Sequence, residues 1–286
     1  MYEIMKCFTY KDSAIRTAVL ELSKTALKHG AINPPDIIPY IIAMLCSSDQ
    51  SSLALETLKI VIYHYPTFFI NRMKDGIKEA FEFVMNVHGQ SFINLPCDDY
   101  VFRIGDLLNI LQPPQKSLFF TAFTDILQDA FSASPGPYWI NWIIRSLCNF
   151  PFSYVWEPSM IINNLNDSAF SAFINSAYAD AKAISHSLTD QSSQIADDVD
   201  PCFWYVSILI LKAKQWLMKK YQIQQKKLKD ADNVDKKTPV KVAIIHQISL
   251  DKIPIPDESN DSIQELFSKF QLAMRAERSS DSTKYE

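Results

Sequence analysis

An all-α chain of stacked antiparallel helix pairs is predicted by three features of this sequence. The first is scarcity of glycine: the chain has only 5 in 286 residues, well under the usual share of about 7%, which leaves few positions for tight turns. The second is periodicity, because apolar residues recur at helical spacing through most of the chain. The third is punctuation, since the apolar runs are short and separated by prolines or polar clusters that stop one helix and start the next. Equivalent helices recur roughly every forty residues, a period that fits a HEAT-like helical-repeat solenoid better than a closed bundle. In such an array each repeat buries its apolar face against its neighbours, and the ends need caps.

The elements follow in order. Met1 to Tyr10 reads as the tail of a helix whose beginning is missing, so apolar surface is expected near Ile4, Cys7 and Phe8. Asp12 or Ser13 caps the next helix, with a stripe of Ile15, Ala18, Val19, Leu22 and Ala26 and with Arg16, Glu21, Lys24 and Lys28 facing away. Gly30 can take the left-handed conformation that closes it. Asn33 then offers a side-chain oxygen as N-cap, Pro34 stands where its missing N–H costs nothing, and Asp36 sets a carboxylate against the helix dipole. Pro39 removes a donor and predicts a kink before Ile41, Ile42, Met44 and Leu45. The polar run Ser47 to Gln50 breaks that segment; Ala54, Leu58, Val61, Ile62 and Tyr65 resume it until Pro66 ends it.

Beyond Pro66 a stripe of Phe69, Met73, Ile77, Ala80, Phe81 and Val84 predicts another helix. Val101, Ile104, Leu108 and Leu111 form one that ends at Pro113-Pro114, and Phe119, Phe120, Phe123, Leu127 and Ala130 form one that ends near Ser134 to Pro137. Tyr138 to Phe150 carries Ile140, Ile143, Ile144 and Leu147. Further helices are expected over Met160–Leu165 and Ala169–Leu188, then a polar loop from Thr189 to Asp200, then a long helix from Phe203 to Leu228. A last amphipathic helix, Ser262 to Ala276, precedes a tail expected to be disordered after Glu277. The predicted organisation is therefore helical repeats over 1–188, a loop and long C-terminal helix with a basic end over 189–229, and a flexible basic linker, terminal amphipathic helix and disordered tail over 230–286.

Two stretches resemble a known family. Gly30-Ala31-Ile32-Asn33-Pro34, followed by Ile38-Pro39-Tyr40-Ile41-Ile42-Ala43, is similar to the signature near the C-terminus of the Nipped-B family of cohesin loaders. Tyr65-Pro66-Thr67-Phe68-Phe69, Arg72 to Ile77 and Ala80 to Phe83 resemble that family's next helix pair. Fainter similarity continues through Lys116–Phe131, Tyr138–Phe152 and Leu209–Tyr221. The resemblance implies a C-terminal portion of a larger loader that engages cohesin SMC and kleisin subunits and duplex DNA, meets the loader's partner subunit through upstream repeats, and stimulates ATP hydrolysis by cohesin on chromatin in the nucleus. The ATPase residues would then belong to the partner.

Charge carries the sharpest internal signal. From Lys212 to Lys241 there are ten lysines and three aspartates, +7, so with a total of −4 the remainder carries −11. Two readings stand side by side: a solvated helix end with a basic tail whose lysines compensate the helix dipole, or an arm that contacts phosphates or an acidic partner. On the second reading Lys219, Lys220, Lys226, Lys227 and Lys229 are the contact residues, with Arg72, Lys74 and Lys78 as the next candidates on the repeat surface. Lys226-Lys227 and Lys236-Lys237 also suggest a nuclear-import patch.

The sequence carries few motifs of known chemistry. The five cysteines, Cys7, Cys46, Cys97, Cys148 and Cys202, form no C-x-x-C pair and read as reduced small hydrophobes. No glycine-rich phosphate loop, G-x-S-x-G or H-E-x-x-H occurs, so no catalytic residue, cofactor or metal is assigned. Asp98-Asp99 and Asp197-Asp198 read as helix caps. No apolar run reaches the roughly 18 residues a membrane span needs, and no small-molecule substrate is expected. A different class of function, a generic helical-repeat adaptor that binds peptides for transport or scaffolding, fits the same pattern.

Overall fold

The computed structural model describes residues 2–132, 136–166, 170–179, 201–223, 237–243, 253, 255–256 and 260–282. These form an all-α, helical-repeat architecture; among them the only β pairing is an isolated antiparallel bridge between Tyr154 and Pro239. The helices are α1 (Tyr2–Cys7), α2 (Ser13–Lys28), α3 (Pro34–Ala43), α4 (Ser51–His64), α5 (Pro66–His88), α6 (Pro113–Ser132), α7 (Pro137–Cys148), α8 (Trp156–Leu165), α9 (170–179), α10 (Pro201–Lys220) and α11 (Asn260–Ser282), with 3₁₀ segments at Met44–Cys46, Gly89–Asn94 and Tyr100–Asn109. The chain divides into two compact units, Met1–Ile126 with Arg145–Ser153, and Leu127–Ile144 with Tyr154–Glu286.

Proline sets the helix starts. Pro34, Pro66, Pro113, Pro137 and Pro201 each stand at the first position of a helix, where the missing N–H would have had no intrahelical partner and the fixed φ is already helical. Pro66 and Pro113 were expected to end helices. They do end the preceding apolar run, and the same residue opens the next helix one step later, so the linkers are shorter than the sequence suggested.

In the first unit α2 lies against α4 and α3 against α5, while consecutive helices also touch. This one-and-the-next-but-one pattern is how stacked helix pairs pack. The α3–α5 contact is the most extensive and depends on Gly76: a Cβ there would meet Ile42 Cδ1 at 2.5 Å. Gly105 permits a second close approach, since any Cβ there would overlap the Phe150 ring. That ring is seated among Phe119, Phe120, Phe123 and Phe152, at centroid distances of 5.0 to 6.3 Å.

The structure departs from the sequence pattern in several places. In α2 the buried stripe is Arg16, Val19, Leu20, Ser23 and Leu27, whereas Ile15, Ala18 and Leu22 are exposed. Arg16 can be buried because its guanidinium donates to Gln50 Oε1, Tyr10 O and Lys11 O and lies over the Phe83 ring, so burial leaves no unpaired charge. Phe8 is fully buried and stacks on Tyr40 at 5.8 Å, while Ile4 and Cys7 are half-buried. The helix expected over Val101–Leu111 is a 3₁₀ segment interrupted at Arg103, with Asp99 accepting from Val101 N. Asn33 occupies the N-cap of α3, but its Nδ2 donates to Asp36 Oδ2 at 2.8 Å and its side chain caps no backbone N–H.

In the second unit α10 packs on α11 and α8. Leu266, Phe270, Ala273 and Met274 form the buried stripe of α11, and Phe267 meets Trp204 at 5.2 Å. α11 runs to Ser282, past the point where disorder was expected. α10 ends at Lys220, eight positions before Leu228 where the sequence pattern placed its end, so that Lys226, Lys227 and Lys229, with the loop over 189–200, lie outside the described residues.

Candidate partner and nucleic-acid interface

The cations singled out on α5 are held in different ways. Pro39 has no N–H to offer the carbonyl of Pro35, four residues earlier; Arg72 Nε donates to that freed carbonyl at 2.9 Å. Its Nη1 pairs with Asp75 Oδ2 at 2.5 Å. Arg72 thus repairs a helix defect caused by a proline on another helix. Lys74 pairs with Asp125 at 2.6 Å, an ion pair between half-exposed side chains. Lys78 is exposed and lines a cleft of about 370 Å³ between α1, α3 and α5, together with Asp36, Arg72, Asp75 and Glu79. Three carboxylates against two cations make this cleft a poor seat for phosphate. Burial and the neighbouring Glu82 and Asp75 push the Glu79 carboxyl above its ordinary value, which is the behaviour of an acidic pocket.

The basic end of α10 is built differently. Lys219 is exposed, and half-buried Lys220 lies over the rings of Trp216 and Tyr221 at 5.5 and 5.3 Å. The helix closes in a Schellman motif: Ile223 N donates to Met218 O at 2.9 Å and Gln222 N to Lys219 O at 3.3 Å, with Gln222 at φ 53°. A strap over 237–243 joins this end to the start of α8, because Ala243 N donates to Lys220 O at 2.8 Å and Val155 N donates to Thr238 O at 3.0 Å. Deeper in α10, Lys212 is half-buried with Lys269 of α11 nearby; burial first and that like charge second hold its ammonium below the usual lysine range.

Two groups escaped the sequence reading. Lys24 pairs with Glu56 at 2.9 Å, and Lys28 and Lys59 add to the field that holds Glu56 below the ordinary carboxylate value. Three lysines from two helices thus surround one glutamate, a cluster visible in the sequence only once the α2–α4 pairing is known. Arg145, fully buried, donates through Nη1 to Ile93 O at 2.8 Å, through Nη2 to Leu95 O and through Nε to Cys97 Sγ, with its guanidinium 4.1 Å from the centre of the Phe102 ring. It ties α7 to the 93–97 segment, and a lone arginine amid an apolar stripe, Ile143, Ile144 and Leu147, was the available signal.

Among the described residues no group of three His, Cys, Asp or Glu side chains is arranged to hold a metal ion, and no helix is long and apolar enough to cross a membrane. Cys46, Cys97 and Cys148 are buried and Cys7 and Cys202 half-buried, and none of the five is in a disulfide. Burial pushes the Cys46 thiol far up, which disfavours the nucleophilic thiolate at neutral pH. Asp99 is a cap, as its sequence position suggested, and Asp197-Asp198 lie outside the described residues.

The described site residues thus lie on the surfaces of a stacked-helix scaffold. Comparison with known proteins agrees with that scaffold: the family model described as sister chromatid cohesion C-terminus matches residues 1–168. The match takes in the Gly30–Pro34 and Ile38–Ala43 stretches and both helix pairs of the first unit. No curated protein sequence matches the chain. Since the family model covers more than half of its length, the chain belongs to the Nipped-B C-terminal family of sister chromatid cohesion proteins.

Proposed function

We propose that this chain is a non-catalytic helical-repeat subunit of a cohesin-loading complex in the nucleus. It engages the SMC and kleisin subunits of cohesin, works with the loader's partner subunit, contacts duplex DNA without regard to sequence, and so stimulates ATP hydrolysis by cohesin on chromatin. The observation that carries this reading is the family match over residues 1–168. The concentration of +7 between Lys212 and Lys241 in a chain of net charge −4 supports the DNA contact. Stacked helix pairs present long surfaces to large partners, a geometry suited to holding an ATPase in a productive state while supplying no reacting group.

The test is the ATPase rate of cohesin with DNA present, measured with and without the loader complex that carries this chain. The rate rises with the loader, and the purified chain alone hydrolyses no ATP. Measurable turnover by the purified chain would contradict a non-catalytic role. An unchanged cohesin rate would favour the peptide-binding adaptor.

A further inference from the structure

The strap over 237–243 is the described part of the second unit that belongs to no helix yet is fixed at both ends. Its sequence from Thr238 is Thr-Pro-Val-Lys. Thr238, Pro239, Lys241 and Val242 are exposed, and Val240 is half-buried. The backbone, not the hydroxyl, does the anchoring: Thr238 O accepts from Val155 N, Ala243 N donates to Lys220 O, and Pro239 bridges to Tyr154. The hydroxyl of Thr238 is therefore spare, accessible and carried on non-helical chain.

Each residue of this tetrapeptide has a chemical reading. A protein kinase binds its substrate as an extended strand around the acceptor hydroxyl. Proline directly after the acceptor brings no N–H, so an apolar kinase pocket takes it without leaving a buried donor unpaired. Lys241, three positions on, supplies a cation for an acidic group on the kinase. Ser134-Pro135 is the other serine or threonine followed by proline in this chain, and it has Pro137 at the corresponding third position. The chain thus carries its own internal control.

We propose that Thr238 is a phosphoryl acceptor for a proline-directed protein kinase, and that its phosphate weakens the grip of the lysine-rich stretch on anionic partners. In the transfer, Thr238 Oγ1 bonds to the γ-phosphorus of ATP while the bond from that phosphorus to the β–γ bridging oxygen breaks. ADP leaves with the electron pair, and the hydroxyl proton passes to the kinase's catalytic carboxylate. The product adds about −1.5 to −2 at neutral pH. Thr238 lies inside the Lys212–Lys241 stretch, so its +7 falls to about +5. The effect on DNA rests on the DNA contact proposed above; the phosphoryl transfer does not.

The experiment incubates the full chain with ATP and a proline-directed kinase, maps phosphate by mass spectrometry, and compares modified and unmodified chains in salt-titrated mobility shifts with duplex DNA. Phosphate is expected on Thr238, with labelling there at least about tenfold slower in P239A and several-fold slower in K241A, and the phosphorylated chain binding DNA several-fold more weakly. T238A serves as the blank, and it keeps the fold because Thr238 anchors through its carbonyl. Absence of phosphate from Thr238, or equal labelling of P239A, overturns the acceptor assignment. Equal DNA binding by modified and unmodified chains overturns the effect on anionic partners while leaving the DNA contact intact. Binding by neither overturns that effect together with the DNA contact.

Discussion

The helix pairs α3–α5 and α10–α11 are held together by different chemistry. In α3–α5 two departures are compensated on the spot: Pro39 frees the Pro35 carbonyl and Arg72 takes it, and Gly76 admits Ile42. In α10–α11 the departures stand. Lys212 is desolvated beside Lys269, Trp204 Nε1 and Ser207 Oγ are buried without hydrogen-bond partners, and a glutamine occupies the left-handed position at the helix end. α2 closes with the same Schellman motif as α10, Ala31 N to Ala26 O at 2.8 Å and Gly30 N to Leu27 O at 3.3 Å, but there the left-handed residue is glycine. The pair that lies within the family match satisfies local rules together, which is what a scaffold needs. The other pair carries unrelieved strain and excess positive charge. On the function proposed above, the difference separates Arg72, whose cation serves the fold, from the lysine-rich end of α10, which is proposed to meet partners.

The largest effects should come from filling the close approaches of the first unit. Gly105→Ala forces a methyl into Phe150, whose ring is already wedged among four other phenylalanines, and Gly76→Ala forces one into Ile42. Overpacking of this kind costs about 1–3 kcal/mol. Thermal melts should show Gly105→Ala as the worse of the two, because the Phe150 backbone also lies within reach at 3.1 Å. Unchanged melting of both variants would mean that the helices do not approach this closely.

Next in size is the Arg72 repair. Arg72→Met leaves the part-buried Pro35 carbonyl without its donor and should cost about 1–2 kcal/mol. Pro39→Ala restores an N–H four residues on, so the double variant should recover much of that loss in a double-mutant cycle. Lys74→Gln, which breaks only a half-exposed ion pair, should cost under about 0.5 kcal/mol. Equal costs for Arg72→Met and Lys74→Gln would erase the distinction between the two cations.

A smaller effect compares the helix ends. Gln222→Gly relieves a side chain at φ 53° and should stabilise by about 0.5–1 kcal/mol, the balance of left-handed strain against glycine's chain entropy. Gly30→Gln should destabilise by a similar amount. Chemical denaturation of both variants checks the sign as well as the size; stabilisation by both would show that the two motifs are not equivalent.

How much of this was legible in the sequence varies with the physics. Helix existence was legible because the apolar spacing of Phe69, Met73, Ile77 and Ala80 has one helical reading, and all four are buried. Boundaries were less so. Pro66 and Pro113 stop one helix and start another, and the pattern shows only the stop. The end of α10 was hidden because glutamine gives no turn signal, whereas Gly30 gave a clear one. The phase of α2 was misread because Arg16 is polar in composition and buried in fact, with its donors satisfied by residues up to 34 positions away. The roles of the cations were the least legible: Lys74 and Asp125 are 51 positions apart, and only the tertiary structure makes them a pair.

The measurement that tests this separation most directly is duplex-DNA binding across a salt series for three proteins: the unmodified chain, the chain with Lys219, Lys220, Lys226, Lys227 and Lys229 all changed to glutamate, and the chain with Lys74 and Lys78 changed to glutamine. Each neutralised phosphate contributes about 0.9 to the slope of log affinity against log salt, so loss of all five contacts should flatten the slope by up to about 4.5. The account predicts that the five-lysine variant loses salt-dependent binding while the Lys74/Lys78 variant retains it. Retention by the five-lysine variant with loss by the Lys74/Lys78 variant would contradict the account and move the anion-binding surface to α5.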